Sequence, residues 1–227
     1  MTTLFVTSSG TEIGKTFVTT LLVRQLRAQG RRVAALKPVI SGMTAEDFAD
    51  SDTALLLDAL ERPATHQTVA DMSPWRFQAA LSPDMAAALE DRAVPFDAVV
   101  DHCRTARAAA EDVLVIEGVG GIMVPLDDRH TVLDWLVAVA GSMTVRPVLV
   151  VGSYLGTLSH TLTAAAVMSQ QGVAPTAVVV SESADSTVSL SATTETLARF
   201  LPDTPIVTLP RLPADGTGAP DLTALAG

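Results

Sequence analysis

Aromatic side chains are scarce in this chain: only 4% of its 227 residues, with one Tyr, two Trp and six Phe. The interior must therefore be filled by Val, Leu, Ile, Ala and Met, and hydrophobic residues do reach 48%. An aliphatic core suits parallel α/β architecture, whose central strands are covered on both faces and read as continuous apolar runs. Cysteine is nearly absent as well. Cys103 stands alone, which excludes a disulfide framework and a multi-cysteine metal site. In its Ala-rich, helical stretch it reads as a small buried side chain, not a nucleophile. Positive charge is in deficit, with 15 Lys and Arg against 25 Asp and Glu and a net charge of −10. That balance argues against nucleic acid or an anionic membrane surface as a partner. No segment approaches the length of a membrane span, and the N-terminal apolar run lacks a basic region and is too short for a signal peptide. The expected compartment is a reducing cytoplasm. One domain accommodates the length, and a chain of this size buries roughly 70–75% of the surface its unfolded form exposes.

What is present is a regular alternation. Short apolar runs at Leu4–Thr7, Val33–Leu36, Val113–Ile116, Val148–Val151, Thr176–Val180 and Ile206–Leu209 read as strands. Between them, Thr16–Gln29, Phe96–Ala110, Val132–Ala140, Leu158–Gln171 and Thr187–Phe200 carry apolar residues at helical spacing. Such alternation predicts βαβ units on a mostly parallel sheet. Gly30 and Gly172 stand where two of these helices need a left-handed residue to stop. The stretch from Val39 to Pro95 interrupts the pattern and is expected to be an insertion near the ligand. It holds a helix from Asp52 to Leu60 capped by Ser51, and another from Pro83 to Leu89 capped by Ser82. From Pro210 onward the chain is rich in Pro and Gly and is expected to be loop or weakly ordered surface.

The chemistry concentrates at the carboxyl ends of the runs. Thr3 to Thr16 reads strand, loop, then Gly14-Lys15-Thr16 at the start of a helix. A helix N-terminus and a ring of backbone N–H groups neutralise a triphosphate with no large side chain in the way. Lys15 then reaches the β- and γ-phosphates, and the Thr16 hydroxyl ligates magnesium. The pattern is imperfect, since a full phosphate-binding loop wants glycine where Ser9 stands and offers Gly10 instead. Glu117 ends a buried strand at the edge where open α/β sheets bind ligands, and is a candidate to hold magnesium. Gly118-Val119-Gly120-Gly121 follows it and permits close approach of backbone to a ligand. Lys37, locked by Pro38, ends a second strand and would bring another ammonium group to the transferred phosphoryl. Neither lysine belongs to the apolar core, so the fold is expected to tolerate losing one. Ser159-His160 begins a helix whose N-terminus can receive a carboxylate. His66, His102 and His130 stand apart from any acid–nucleophile pattern, and no zinc spacing is present.

Together these residues resemble the dethiobiotin synthetase family over nearly the whole chain. Ser8 to Thr16 is similar to its loop G-T-D-T-x-V-G-K-T, and Lys37-Pro38-Val39-Ile40-Ser41-Gly42 to its K-P-x-x-S-G. Ser51-Asp52, Ile116 to Gly121 and Leu155 to His160 match its S-D, V-E-G-A-G-G and L-G-x-x-N-H. The resemblance implies a single-domain, P-loop NTPase-like α/β fold, with a mostly parallel sheet flanked by helices on both faces. It also implies a reaction, in which 7,8-diaminononanoate, CO2 and Mg-ATP give dethiobiotin, ADP and phosphate through a carbamate and a carbamic-phosphoric anhydride. By position, Lys15, Lys37 and Thr11 are catalytic, and Thr16, Asp52 and Glu117 hold Mg2+. Ser41, the Gly118 backbone and Ser159 position substrate, the last from the partner of a homodimer. Glu12, Ile13, Gly14, Lys15, Thr16, Phe17 and Glu117 lie along the nucleotide, with Ser181, Pro210 and Arg211 at its base. The chain departs from the family at Ser8, Gly10 and Ser159, which stand for Gly, Asp and Asn, and at Ser181 in place of a base-reading Asn. The base is therefore expected to be read loosely. Two other readings remain in view: a partitioning or assembly ATPase switch, and a cobyrinate-type amide ligase. The first usually carries a second loop lysine near Ser9 or Gly10, and the second needs a glutaminase domain. Neither is present.

Overall fold

In the computed structural model, which describes every residue except 45–47, 185 and 187, each of the six apolar runs is a strand. The strands are β1 (Thr2–Ser8), β2 (Val33–Leu36), β3 (Val39–Ser41) and β4 (Trp75–Phe77), then β5 (Val113–Glu117), β6 (Arg146–Gly152), β7 (Ala177–Ser181) and β8 (Ile206–Leu209). The helices are α1 (Lys15–Ala28), α2 (Asp52–Ala59), α3 (His66–Met72) and α4 (Pro83–Ala88), then α5 (Phe96–Ala109), α6 (Val132–Ala140), α7 (Thr157–Gln170) and α8 (Leu190–Phe200). The main sheet runs β2-β5-β1-β6-β7-β8, and every pairing in it is parallel.

Successive side chains of a strand point to opposite faces, and here both faces are apolar. Leu4 and Val6 of β1 join Val113, Val115, Val148 and Val150 in a core with α1 and α2. Phe5 joins Leu114, Ile116, Leu149 and Val151 in the other core, under α5, α6 and α7. Cys103 is buried in that second core, and burial pushes its thiol up to about 12, so it is a packing residue. Gly30 and Gly172 do end α1 and α7 at positive φ. Among the described residues, no helix is long and apolar enough to cross a membrane.

The stretch from Val39 to Pro95 contains more structure than its sequence predicts. β3 and β4 pair in parallel as a separate two-stranded sheet, Val39 opposite Trp75 and Ser41 opposite Phe77. Strands of three residues carry no readable period, and α3 buries only Val69 and Met72, so neither element announces itself. Ser51 caps α2 as expected, its hydroxyl accepting from the Ala54 N–H at 3.2 Å. Ser82 precedes α4 without a side-chain cap bond. The start of the last helix is also later than expected: Thr187 lies outside the described residues, and α8 begins at Leu190 behind a Ser189 cap.

The tail differs most from expectation. Leu222, Leu225 and Ala226 are buried in the α1 core, the latter two in a short 3-10 helix (Thr223–Ala226). Gln25 of α1 reads the tail backbone twice, donating to the Pro220 carbonyl and accepting from the Leu222 N–H, each at 2.8 Å. Composition rich in Pro and Gly sets the shape of this segment, but three apolar side chains near its end anchor it.

Candidate active site

All the polar residues singled out at strand ends lie on the carboxyl edge of the sheet, where parallel strands present their ligands. β1 feeds the loop that precedes α1. Gly14 stands at the helix N-cap with φ 85°, and a Cβ there would sit 2.8 Å from Ser181 Oγ, so only glycine suits the position. Glu12, a non-glycine residue, is held at φ 57° in the same loop. Such conformers cost about 1–3 kcal/mol and persist where the surroundings over-determine them.

The departures from the family loop are accommodated from below. Ser8 is buried, and its hydroxyl lies 2.6 Å from the Gly10 carbonyl and 2.8 Å from the Gly120 carbonyl. The Ile122 N–H donates to the Ser8 carbonyl at 2.8 Å. Gly121 lies so close to the loop that a Cβ on it would be 3.1 Å from the Gly10 nitrogen. The phosphate loop and the glycine turn after β5 are thus one packed unit.

Register brings the charges together. β2 pairs with β5 so that Leu36 faces Ile116, which sets Lys37 beside Glu117. Lys37 is only 2% exposed, and its Nζ lies 2.5 Å from Glu117 Oε1 and 2.6 Å from Asp52 Oδ2. The Thr16 hydroxyl donates to the same Glu117 Oε1 at 2.7 Å, and Lys15 Nζ stands 4.0 Å from it. Glu117 is fully buried, and its Oε2 has no hydrogen-bond partner.

The electrostatics follow from this crowding. Burial alone would push the Lys37 ammonium down, but Glu117 and Asp52 outweigh it and hold Lys37 above its ordinary range. Burial likewise acts to raise the Asp52 carboxyl, and the Lys37 charge reverses that and keeps it low. Lys15 has the weaker compensation: burial, then repulsion from Lys37, brings its ammonium down to about 8.

A hard cation fits this donor set. Thr16 Oγ1, the Asp52 carboxylate and the Glu117 carboxylate are all oxygen donors, and the unpartnered Oε2 of Glu117 is a buried acceptor wanting a positive neighbour. No group of three or more His, Cys, Asp or Glu gathers for a metal among the described residues. Magnesium does not require one, since it binds through one or two carboxylates with phosphate oxygens and water.

Two clefts open on either side of the loop and share Thr11, Glu12, Gly14 and Phe17. One, of about 580 Å³, is lined by Lys15, Thr16, Lys37, Ser41 and Asp52 and is walled by the start of α4. The other, of about 940 Å³, runs from Ile13 to Ser181, Pro210 and Arg211. The expected residues therefore come together: Glu117 stands fully buried behind Lys37 and Thr16 without lining a cleft itself, and two others do not face the clefts either. The Gly118 N–H is spent on the Val6 carbonyl at 2.9 Å, and a Cβ there would press on Val132 and Phe5. Val119 and Gly120 reach the cleft in its place. Ser159 is exposed on α7 and lines neither cleft of its own chain. Sequence reasoning also missed Glu182, which lines the second cleft and whose only signal was a polar run after β7.

Comparison with known proteins agrees with this geometry. A family model described as an AAA domain matches residues 2–215. The ATP-dependent dethiobiotin synthetase BioD of Methylobacterium nodulans is 50% identical over 204 residues, covering 88% of this chain and 89% of that protein. The BioD of Acidiphilium cryptum is 44% identical over 206 residues, covering 90% and 91%. Among solved structures, a chain of the MinC:MinD cell division protein complex of Aquifex aeolicus superposes with TM-score 0.55. It covers 94% of this chain and 82% of that one at 12% identity, a likeness of fold alone. With a P-loop NTPase-like fold and relatives this similar along nearly its whole length, the chain belongs to the dethiobiotin synthetase family.

Proposed function

We propose that the cleft between the phosphate loop and Lys37 is where this chain carries out its family's reaction. The chain is an ATP-dependent ligase of biotin biosynthesis that makes dethiobiotin by forming C–N bonds. On our reading, one amine of 7,8-diaminononanoate takes up CO2 and loses a proton to become a carbamate. A carbamate oxygen then attacks the γ-phosphorus and ADP leaves. The second amine attacks the carbonyl carbon of the mixed anhydride and gives up a proton to solvent, and phosphate departs with the C–O electron pair as the urea ring closes.

Phosphoryl transfer asks a protein mainly for positioning and charge neutralisation. Lys15 and Lys37 supply two cations to the γ-phosphoryl and the carbamate. Thr11, Ser41 and the Val119–Gly120 turn flank the diamine. Glu12, Ile13, Gly14 and Phe17 border the nucleotide, with Ser181, Pro210 and Arg211 toward its base. Thr16, Asp52 and Glu117 would hold Mg2+, which when bound offsets the charge on the phosphate oxygens. The observation that carries this reading is a wholly buried lysine shared by two carboxylates at the mouth of a phosphate loop, beside a carboxylate oxygen with no partner. We further read the active unit as a homodimer, because Leu155, Gly156 and Ser159 at the start of α7 are exposed and line neither cleft of their own chain, and we keep the cytoplasm as its expected location.

Glu117→Gln tests the metal assignment. It keeps shape and hydrogen bonding but removes the charge, so kcat should fall roughly a hundredfold and more magnesium should be needed for half-maximal rate. An unchanged magnesium titration would leave Glu117 as a strand-end acid and remove the cluster from the metal site.

A further inference from the structure

The wall of the larger cleft carries a carboxylate that the reaction does not use. Glu182 follows β7 directly, where Ser181 pairs with Leu209 of β8. Its own N–H donates to the Leu209 carbonyl at 2.9 Å, and its side-chain Oε2 accepts the Arg211 N–H at 2.8 Å. Backbone and side chain are thus both tied across the gap between the β7 and β8 exits. Glu182 is a half-buried residue of the cleft wall. Among the described residues no Lys, Arg or His side chain forms an ion pair with it.

We propose that Glu182 sorts nucleotides by the exocyclic group at the purine 6- or pyrimidine 4-position of the base, favouring an amino group there over a carbonyl oxygen. This rests on the reading above that the base of the bound triphosphate lies in the Ser181–Arg211 cleft. An ionised carboxylate accepts hydrogen bonds and donates none. Adenine and cytosine offer amino hydrogens at N6 and N4, whereas uracil offers the acceptor O4 at the corresponding place. Against a fixed carboxylate, O4 sets lone pair against lone pair in a partly desolvated cleft. The neighbouring Ser181 adds no selection, because a hydroxyl both donates and accepts. The cleft, at about 940 Å³, is large enough for either a purine or a pyrimidine. The site therefore tolerates ring size and discriminates polarity.

CTP and UTP make the sharpest pair, being alike in size and opposite in polarity at the 4-position and at N3. Their inhibition constants against ATP turnover, measured together with that of inorganic tripolyphosphate, test the proposal without requiring either pyrimidine to turn over. CTP should bind more tightly than UTP by roughly 10- to 100-fold, the range of one hydrogen bond to a charged group. In Glu182→Gln the amide oxygen can keep the Arg211 N–H and turn its NH2 toward the base, so the CTP-to-UTP preference should collapse to near unity or invert. Equal inhibition by CTP and UTP, or a preference unchanged in Glu182→Gln, overturns the role of Glu182. If tripolyphosphate competes with ATP in that case, the phosphate-loop reading stands by itself. If tripolyphosphate does not compete at all, the nucleotide placement fails and takes this proposal with it.

Discussion

Replacing Lys37 with Met keeps the length and most of the volume of the side chain and removes its charge. The structure gives this change two consequences where the sequence predicts one. Lys37 is 2% exposed and sits 2.5 Å from Glu117 and 2.6 Å from Asp52. Removing one partner of a buried ion pair costs about 3–5 kcal/mol, because the other is left uncompensated. Asp52 is 41% exposed and recovers part of its solvation, so the lower end, about 3 kcal/mol, is appropriate here. For a chain of this size that lowers Tm by roughly 6–12 °C. The expectation that the fold would tolerate losing either lysine is therefore corrected at Lys37, whose ammonium is part of the interior. The folded pKa of Lys37 lies above its unfolded value, so this stabilisation is fully present below the unfolded value of 10.5 and is lost only as pH rises through the folded one. At neutral pH the whole effect should be visible. Magnesium should restore part of the lost Tm, since a cation between the same oxygens replaces the missing ammonium. Turnover should drop by roughly a hundredfold or more, the scale of losing one preorganised donor. Calorimetry with and without magnesium, beside steady-state kinetics, reads both. Turnover within a few-fold of the parent, or an unchanged Tm, would refute the reasoning.

Lys15 gives the pH prediction. Its folded pKa, about 8, lies below the unfolded 10.5, so the charged form is penalised in the free fold below pH 8 and that penalty is relieved as pH rises between the two values. The same shift means the free enzyme loses this phosphate-binding charge above pH 8. Affinity for a non-hydrolysable ATP analogue should weaken by roughly tenfold from pH 7.5 to 9, with the break abolished in Lys15→Arg, and a flat profile would contradict it. In the tail, Leu222→Ala should cost about 2–4 kcal/mol, because Leu222 is fully buried against the α1 core. A change in chemical-denaturation midpoint equivalent to less than about 0.5 kcal/mol would return the segment to the surface.

The meeting of Lys15, Lys37 and Glu117 was legible in the sequence because Lys37 and Glu117 stand at the carboxyl ends of apolar runs and Lys15 in the Gly14-Lys15-Thr16 that opens the helix after another. A parallel sheet collects such ends on one edge whatever the detailed register. The cap of α2 was legible too, since Ser51 acts on its own first turn. What escaped depends on partners distant in sequence. The burial of Leu222 requires Gln25, nearly the whole chain away, and β3 forms only because β4 lies beside it. Gly118 and Gly120 look alike in sequence, and only the bond from the Gly118 N–H to Val6 shows which of them faces packing. Glu182 was a polar residue after a strand until the Arg211 N–H fixed its carboxylate on the cleft wall.

The central claim is that the buried lysine–carboxylate cluster serves phosphoryl transfer to a substrate carbamate, not to water. Phosphate release from Mg-ATP, followed with and without saturating 7,8-diaminononanoate in bicarbonate buffer, tests it most directly. The account predicts one phosphate per dethiobiotin formed and stimulation by the diamine of roughly a hundredfold or more, as expected when a positioned nucleophile replaces a mobile one. Phosphate release at the same rate without the diamine would contradict it and would assign the cluster to simple hydrolysis.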